Sequence, residues 1–133
     1  MAFPVVRGMR GLELGNPGAM RQWLNGLVLE GRKRATAGLM SEYLDEGEPV
    51  EEPGELLALV DDNVDYVATV RVTRVDVSTL AEVPDGFALA EGEGDLRADD
   101  FRSSHQEYWA REGIAVDART VLVLVYFELV DGS

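Results

Sequence analysis

Leu29-Glu30-Gly31-Arg32-Lys33-Arg34-Ala35-Thr36-Ala37-Gly38-Leu39-Met40-Ser41-Glu42-Tyr43 is where an amphipathic pattern gives way to a run of small residues. Upstream of it, Met20, Trp23, Leu24, Leu27 and Val28 recur at helical spacing and make one apolar stripe. Asn16-Pro17 suits the start of that helix, because Asn caps free N–H groups and Pro fits the first helical position. Gly31 suits the left-handed residue that follows a last turn. The spacing therefore predicts a helix over 17–30, with its C-terminal carbonyls turned toward the cations Arg32 and Lys33. Residues 34–40 follow as a short strand. Lys33 is the only lysine in the chain, and Thr36 comes three residues later amid Ala35, Ala37 and Gly38. Taken alone, the stretch reads either as a surface turn or as a site.

Working outward, residues 41–55 are acidic and carry Gly47, Pro49, Pro53 and Gly54, which reads as a loop. Residues 56–60 form a strand, Asp61-Asp62-Asn63 a turn, and residues 66–77 a long second strand. On the long strand Val67, Thr69, Arg71, Thr73 and Val75 share one face. Arg71 is then either an edge residue or a charge turned into a cleft. Residues 84–92 form a short helix or turn. A further helix, capped by Asp99 or Asp100, runs to Gly113 with Phe101, His105, Tyr108 and Trp109 on one stripe. Residues 120–130 are almost wholly apolar, a strand buried on both faces or closing a barrel. Residues 1–15 are Gly-rich and read as an irregular leader to a single domain over 16–131.

At 133 residues and 46% hydrophobic composition the chain suffices for one core. The absence of cysteine excludes disulfides and thiolate-bound zinc, and a single histidine argues against a metal centre built on imidazoles. No run approaches the roughly 18 apolar residues of a membrane span. Residues 1–11 contain Arg7 and Arg10 but no apolar core of a secretory signal, so a cytoplasmic protein is expected. The net charge of −13 is unevenly spread. Residues 1–36 hold six cations against Glu13 and Glu30, while the remaining 97 residues hold six cations and 23 acids. Duplex DNA, which is bound by neutralising many phosphates, is a poor partner for such a chain. A nucleoside, a nucleotide or a short single-stranded RNA at the basic end remains.

Two stretches carry a family resemblance. Gly31-Arg32-Lys33-Arg34-Ala35-Thr36-Ala37-Gly38-Leu39, followed by Glu42-Tyr43, resembles the signature of the ASCH domain. Phe87-Ala88-Leu89-Ala90-Glu91-Gly92-Glu93-Gly94-Asp95 resembles its second motif, and His105, Tyr108 and Trp109 fall where bacterial members place a helix of His and aromatics. The resemblance runs from about Leu12 to Val130. It implies an α+β fold, a small PUA-like β-barrel flanked by two or three helices and related to RNA-modification domains. In small bacterial members a Lys, a Thr three residues on and a Glu of the second motif form a site that removes the acyl group from N4-acetylcytidine. The matching positions are Lys33, Thr36 and Glu93. Those shorter members close the first run with Arg-Asp, which this chain lacks. It looks instead like a longer branch, one member of which is described as a ribonuclease.

The residue chemistry is compatible with that implication. A lysine acts as a base only when neutral, and the flanking charges of Arg32 and Arg34 push it that way. Neutral Lys33 can then take the proton of the Thr36 hydroxyl. Glu93 can protonate a leaving amine or hold a polar edge, although residues 91–95 also read as an acidic surface loop. His105 is either a packing residue or a hydrogen-bond partner for a base or phosphate, with Tyr43, Tyr108 or Trp109 as stacking faces. The expected ligand contacts are Arg32, Arg34, Glu42, Tyr43, Arg71, Asp95, His105 and Trp109. The expected function is binding, with hydrolysis as its second step, of a modified pyrimidine nucleoside or nucleotide of the N4-acylcytidine type. The alternative is an RNA-binding module or a ribonuclease acting on short single strands. No cofactor and no metal is implied.

Overall fold

In the computed structural model, which describes residues 3–132, the apolar run near the C-terminus is β6 (Val121–Gly132). Its alternating side chains feed two cores. Val123, Val125 and Phe127 join one cluster of buried residues, while Leu122 and Leu124 join the other. β6 pairs antiparallel on one side with β3 (Ala35–Leu39) and on the other with β5 (Tyr66–Thr79). β5 pairs in turn with β4 (Leu56–Val60), joined by the turn that residues 61–65 make around Asp61. Register shifts at Thr69/Val70 and Val72/Arg74 bend β5 along its 14 residues, as bulges do.

The sheet continues where an irregular leader was expected. β1 (Val5–Val6) and β2 (Met9–Leu12) form a hairpin through Arg7 and Gly8, both at positive φ, and β2 runs parallel to β4. Residues 5–12 are thus structural, tied down by a ladder to a strand more than 40 positions away. The strand order is β1-β2-β4-β5-β6-β3. This is a mixed six-stranded sheet, barrel-like in outline but not closed, with β1 and β3 at its two ends.

Four α-helices among the described residues cover it. They are α1 (Ala19–Leu29), α2 (Met40–Glu46), α3 (Asp85–Glu91) and α4 (Ala98–Arg111). α1 lays Leu24, Leu27 and Val28 on the first core, as its stripe predicts. It begins later than expected, with Gly18 as N-cap at φ 102 and its N–H donated to Asp62. Asn16 is engaged elsewhere, with Tyr108 and Glu112. α2 lies where a loop was expected, and Gly47, left-handed at φ 67, ends it. The loop proper is only the Pro-containing second half of that segment. α3 and α4 close the second core with Phe87, Phe101 and Trp109. No helix among the described residues is long and apolar enough to cross a membrane.

Candidate functional site

Two helix ends that finish on glycine meet backbone to backbone. At the end of α1, Gly31 takes φ 77; its N–H bonds the Val28 carbonyl and that of Arg32 bonds the Leu27 carbonyl. This pairing is a Schellman motif, and it turns the chain sharply inward at Lys33. At the end of α3, Gly92 takes φ 66, and a Cβ there would collide with the carbonyl of Arg32. The Arg34 N–H donates to the Ala90 carbonyl at 2.6 Å, locking the two ends together. Gly92 is therefore needed for close approach of backbone to backbone, rather than of backbone to ligand. The two motifs quoted above cross at this point.

The crossing sets four charged side chains against one another. Lys33 is 2% exposed. Its Nζ donates to Glu93 Oε2 at 2.6 Å, to Glu91 Oε2 at 3.4 Å and to the Glu91 carbonyl at 3.5 Å. Three acceptors match the three N–H groups of an ammonium. Glu91 Oε1 faces His105 Nε2 at 3.2 Å, an ion-pair contact between buried groups. His105 donates from Nδ1 to the Phe101 carbonyl at 3.1 Å and stacks on the Phe101 ring at 4.0 Å.

The electrostatics follow from that geometry. Burial opposes ionisation of Glu91 most strongly, but Lys33 and His105 override it and hold the carboxyl below its usual range. Burial, reinforced by the charge of Glu91, leaves Glu93 above its usual range despite Lys33. Burial works against charge on His105 too, yet Glu91 and then Glu93 more than offset it and raise the imidazole. With Nδ1 already donating, protonation of Nε2 lets both ring nitrogens face acceptors.

The cluster forms one wall of a cleft of about 560 Å³. Of the expected site residues, the structure brings Lys33, Thr36, Glu42, Tyr43, Glu93, Asp95, His105 and Trp109 to it. Thr36 lies on β3, on the opposite strand face from Ala35 and Ala37, and among the described residues no hydrogen bond joins its hydroxyl to Lys33. Tyr43 is a wall rather than a free stacking face. Its hydroxyl donates to Glu51 at 2.8 Å, its ring meets Phe3 edge-on, and burial followed by Glu51 pushes the phenol far above its usual range. Burial, then Glu46 and Asp45, also raises Glu42. Asp95 accepts from Ser104 at 3.1 Å.

Three expected residues lie elsewhere. Arg71 does not line the cleft. It is exposed on β5 and pairs with Glu128 at 2.7 Å, because the strand buries Ala68, Val70 and Val72 on its other face. Arg32 and Arg34 alternate with Lys33 along the chain and so leave the cleft. They line a separate groove of about 390 Å³ with Gly31, Leu89, Gly92 and Leu96.

Two contributors escaped the sequence reading. Glu91 lies within the second motif, where an acidic run reads as solvated. Its signal was helical spacing, since it sits one turn after Phe87 on the buried face of α3. Trp23 reads as core from its stripe, yet it is 51% exposed and lines the cleft. Glu91, Glu93 and His105 offer three ligand atoms within 4.8 Å of one another. The Lys33 ammonium already lies against both of those carboxylates, and a metal ion would have to displace it.

Comparison with known proteins agrees with this architecture. The family model for the ASCH domain matches residues 12–131. A crystal structure of a protein from Enterococcus faecalis V583 superposes with a TM-score of 0.77 at 28% identity, covering 90% of this chain and 75% of that one. A crystal structure described as an ASCH domain from Lactobacillus crispatus JV V101 superposes with a TM-score of 0.78 at 26% identity, covering 91% of this chain and 79% of that one. No curated protein matches the sequence.

Proposed function

The chain belongs to the ASCH domain family, and on that premise we propose that its cleft binds and deacylates a modified pyrimidine nucleoside of the N4-acylcytidine type. The observation that carries this reading is the buried ammonium of Lys33, held between Glu91 and Glu93 in the wall of a cleft large enough for a nucleoside. Buried groups that perturb one another in this way cluster at functional sites.

The geometry gives Lys33 the part of a fixed cation. A donor three times over has no lone pair to offer, so it serves the oxyanion rather than the proton transfer. Glu93, carrying a raised carboxyl beside it, takes the proton from the Thr36 hydroxyl as Thr36 Oγ1 bonds to the acyl carbon. Protonation of Glu93 releases one N–H of Lys33, which turns to the resulting oxyanion. The C–N4 bond then breaks, and Glu93 returns its proton to N4, releasing cytidine. Water hydrolyses the acyl-threonine by the same transfers in reverse and frees the carboxylic acid. Glu91 orients both Lys33 and His105.

Turnover of N4-acetylcytidine by the purified chain tests this, with Thr36→Ala and Lys33→Met as variants. Loss of turnover by about a thousandfold or more is expected in each, and together they are barely worse than singly, because such groups act as one unit. Parental turnover by Thr36→Ala makes water the nucleophile. Absence of any turnover by the parent ends the amidohydrolase reading.

A second reading, binding or cleavage of a short single-stranded RNA, is favoured by one observation only, the outward Arg32 and Arg34 in their own groove. It requires affinity that falls steeply with salt and with neutralisation of those two arginines.

A further inference from the structure

Both tryptophans of the chain, Trp23 and Trp109, line the cleft, and Tyr108 adds a third ring. The charged groups beside these rings are mostly of one sign. Glu42, Glu91, Glu93 and Asp95 face the same space. The cations there are largely spent. Lys33 donates all three of its N–H groups to Glu91 and Glu93, and His105 lies between Glu91 and the Phe101 carbonyl. Arg111 is exposed. Glu91 Oε1, fully buried in the same wall, has the His105 imidazole against it at 3.2 Å.

Aromatic faces and carboxylates attract the same kind of ligand. The negative face of a ring favours a cation, and a carboxylate favours it more. A phosphate meets repulsion from both, in a recess where the lowered dielectric strengthens every charge contact. Glu42 is held above the usual carboxylate range by burial and then by Glu46 and Asp45, and Glu93 stays above it by burial and Glu91 even against the Lys33 charge.

We propose that the cleft is cation-selective: it takes an unphosphorylated planar heterocycle bearing amino or amidine-type N–H groups, and excludes nucleoside phosphates. The proposal rests on the nucleoside reading for the natural ligand but not for the sign of charge, so the two can fail separately.

Because every tryptophan lines the cleft, intrinsic fluorescence of the unmodified chain reports occupancy without a label. Benzamidine and benzoate are planar probes of similar shape and opposite charge. Benzamidine should perturb the fluorescence with an affinity about tenfold or more above that of benzoate, and the gap should narrow in about 1 M salt, where the Debye length is about 3 Å. Cytidine should likewise bind more tightly than cytidine 5′-monophosphate. Glu42→Gln combined with Asp95→Asn should shrink both preferences, since neither residue belongs to the Lys33 cluster. Benzoate binding as tightly as benzamidine, the monophosphate binding as tightly as cytidine, or preferences untouched by the double variant would each overturn the proposal. Preference for benzamidine with no response to any cytidine would uphold cation selectivity and remove the nucleoside reading.

Discussion

Lys33–Glu93 and Arg71–Glu128 are ion pairs of almost equal length, 2.6 and 2.7 Å. Their surroundings differ completely. The first has side chains 1% and 16% exposed and shares its cation with a second buried carboxylate. The second has side chains 46% and 54% exposed and links neighbouring strands at the surface. Water and counter-ions screen the surface pair, and two long side chains lose freedom to form it, so length says little about its worth. The buried pair has surrendered most of its hydration, and its charges are compensated by each other and by Glu91. The lesson is that burial, not distance, ranks the ion pairs of this molecule. Arg71, a cleft candidate by sequence, belongs to the exposed kind and lies outside the cleft.

The strongest way to break the comparison is Lys33→Ala. It leaves Glu91 and Glu93 buried without their ammonium, and a loss of about 3–5 kcal/mol in urea unfolding is expected. A loss no greater than that of a surface pair would abolish the distinction. Gly92→Ala removes no charge but forces a side chain into the Arg32 carbonyl at a left-handed φ. It should cost about 2–3 kcal/mol from steric conflict and backbone strain. Turnover should fall as well, since the crossing that sets Lys33 against Glu91 and Glu93 is pushed apart.

Protonation sharpens the contrast further. Folded His105 holds its proton more tightly than the unfolded chain does, so its stabilisation is complete below pH 6.5, the ordinary value, and is lost as pH rises through the raised folded value. Glu91, held low, adds stability above pH 4.5 that disappears as pH falls through its depressed value. His105→Gln should flatten the alkaline side of the stability profile and weaken the acid side in part, because His105 helps to hold Glu91 low. An unchanged alkaline slope in the variant would mean that another group sets it. At the bottom of the scale, Arg71→Ala should change stability by about 0–1 kcal/mol, and by less in high salt.

How much of this was legible depended on whether the signal is local. The stripe of α1, the turn at Gly31 and the apolar run of β6 are written in neighbouring residues, and they emerge as read. β1 and β2 are not. They hold two and four residues, and their support is a parallel ladder to β4, which no local pattern announces. α2 was hidden by acidic composition, although Gly47 marked its end. Most of the cleft residues were legible only through the resemblance of the two motifs, and nothing local announced that Gly31 and Gly92 mark a crossing. Glu91 was missed because a carboxylate in an acidic run reads as solvated. Only tertiary context buries it. Trp23 shows the converse, an apolar residue on a correct stripe whose edge falls over an opening.

β6 has a bearing on how the molecule comes into being. It lies between β5 and β3, and each of its faces completes a different core. β3 reaches the rest of the sheet only through it, across a gap in sequence of more than 80 residues. During synthesis β1, β2, β4 and β5 can assemble as they emerge, but β3 waits without a strand partner. Neither core is finished until Val121–Gly132 has left the ribosome. The final step of assembly is therefore insertion of one apolar strand into a waiting slot. Such long-range closure is slow, and until it happens the unpaired edges of β3 and β5 are exposed to other nascent chains.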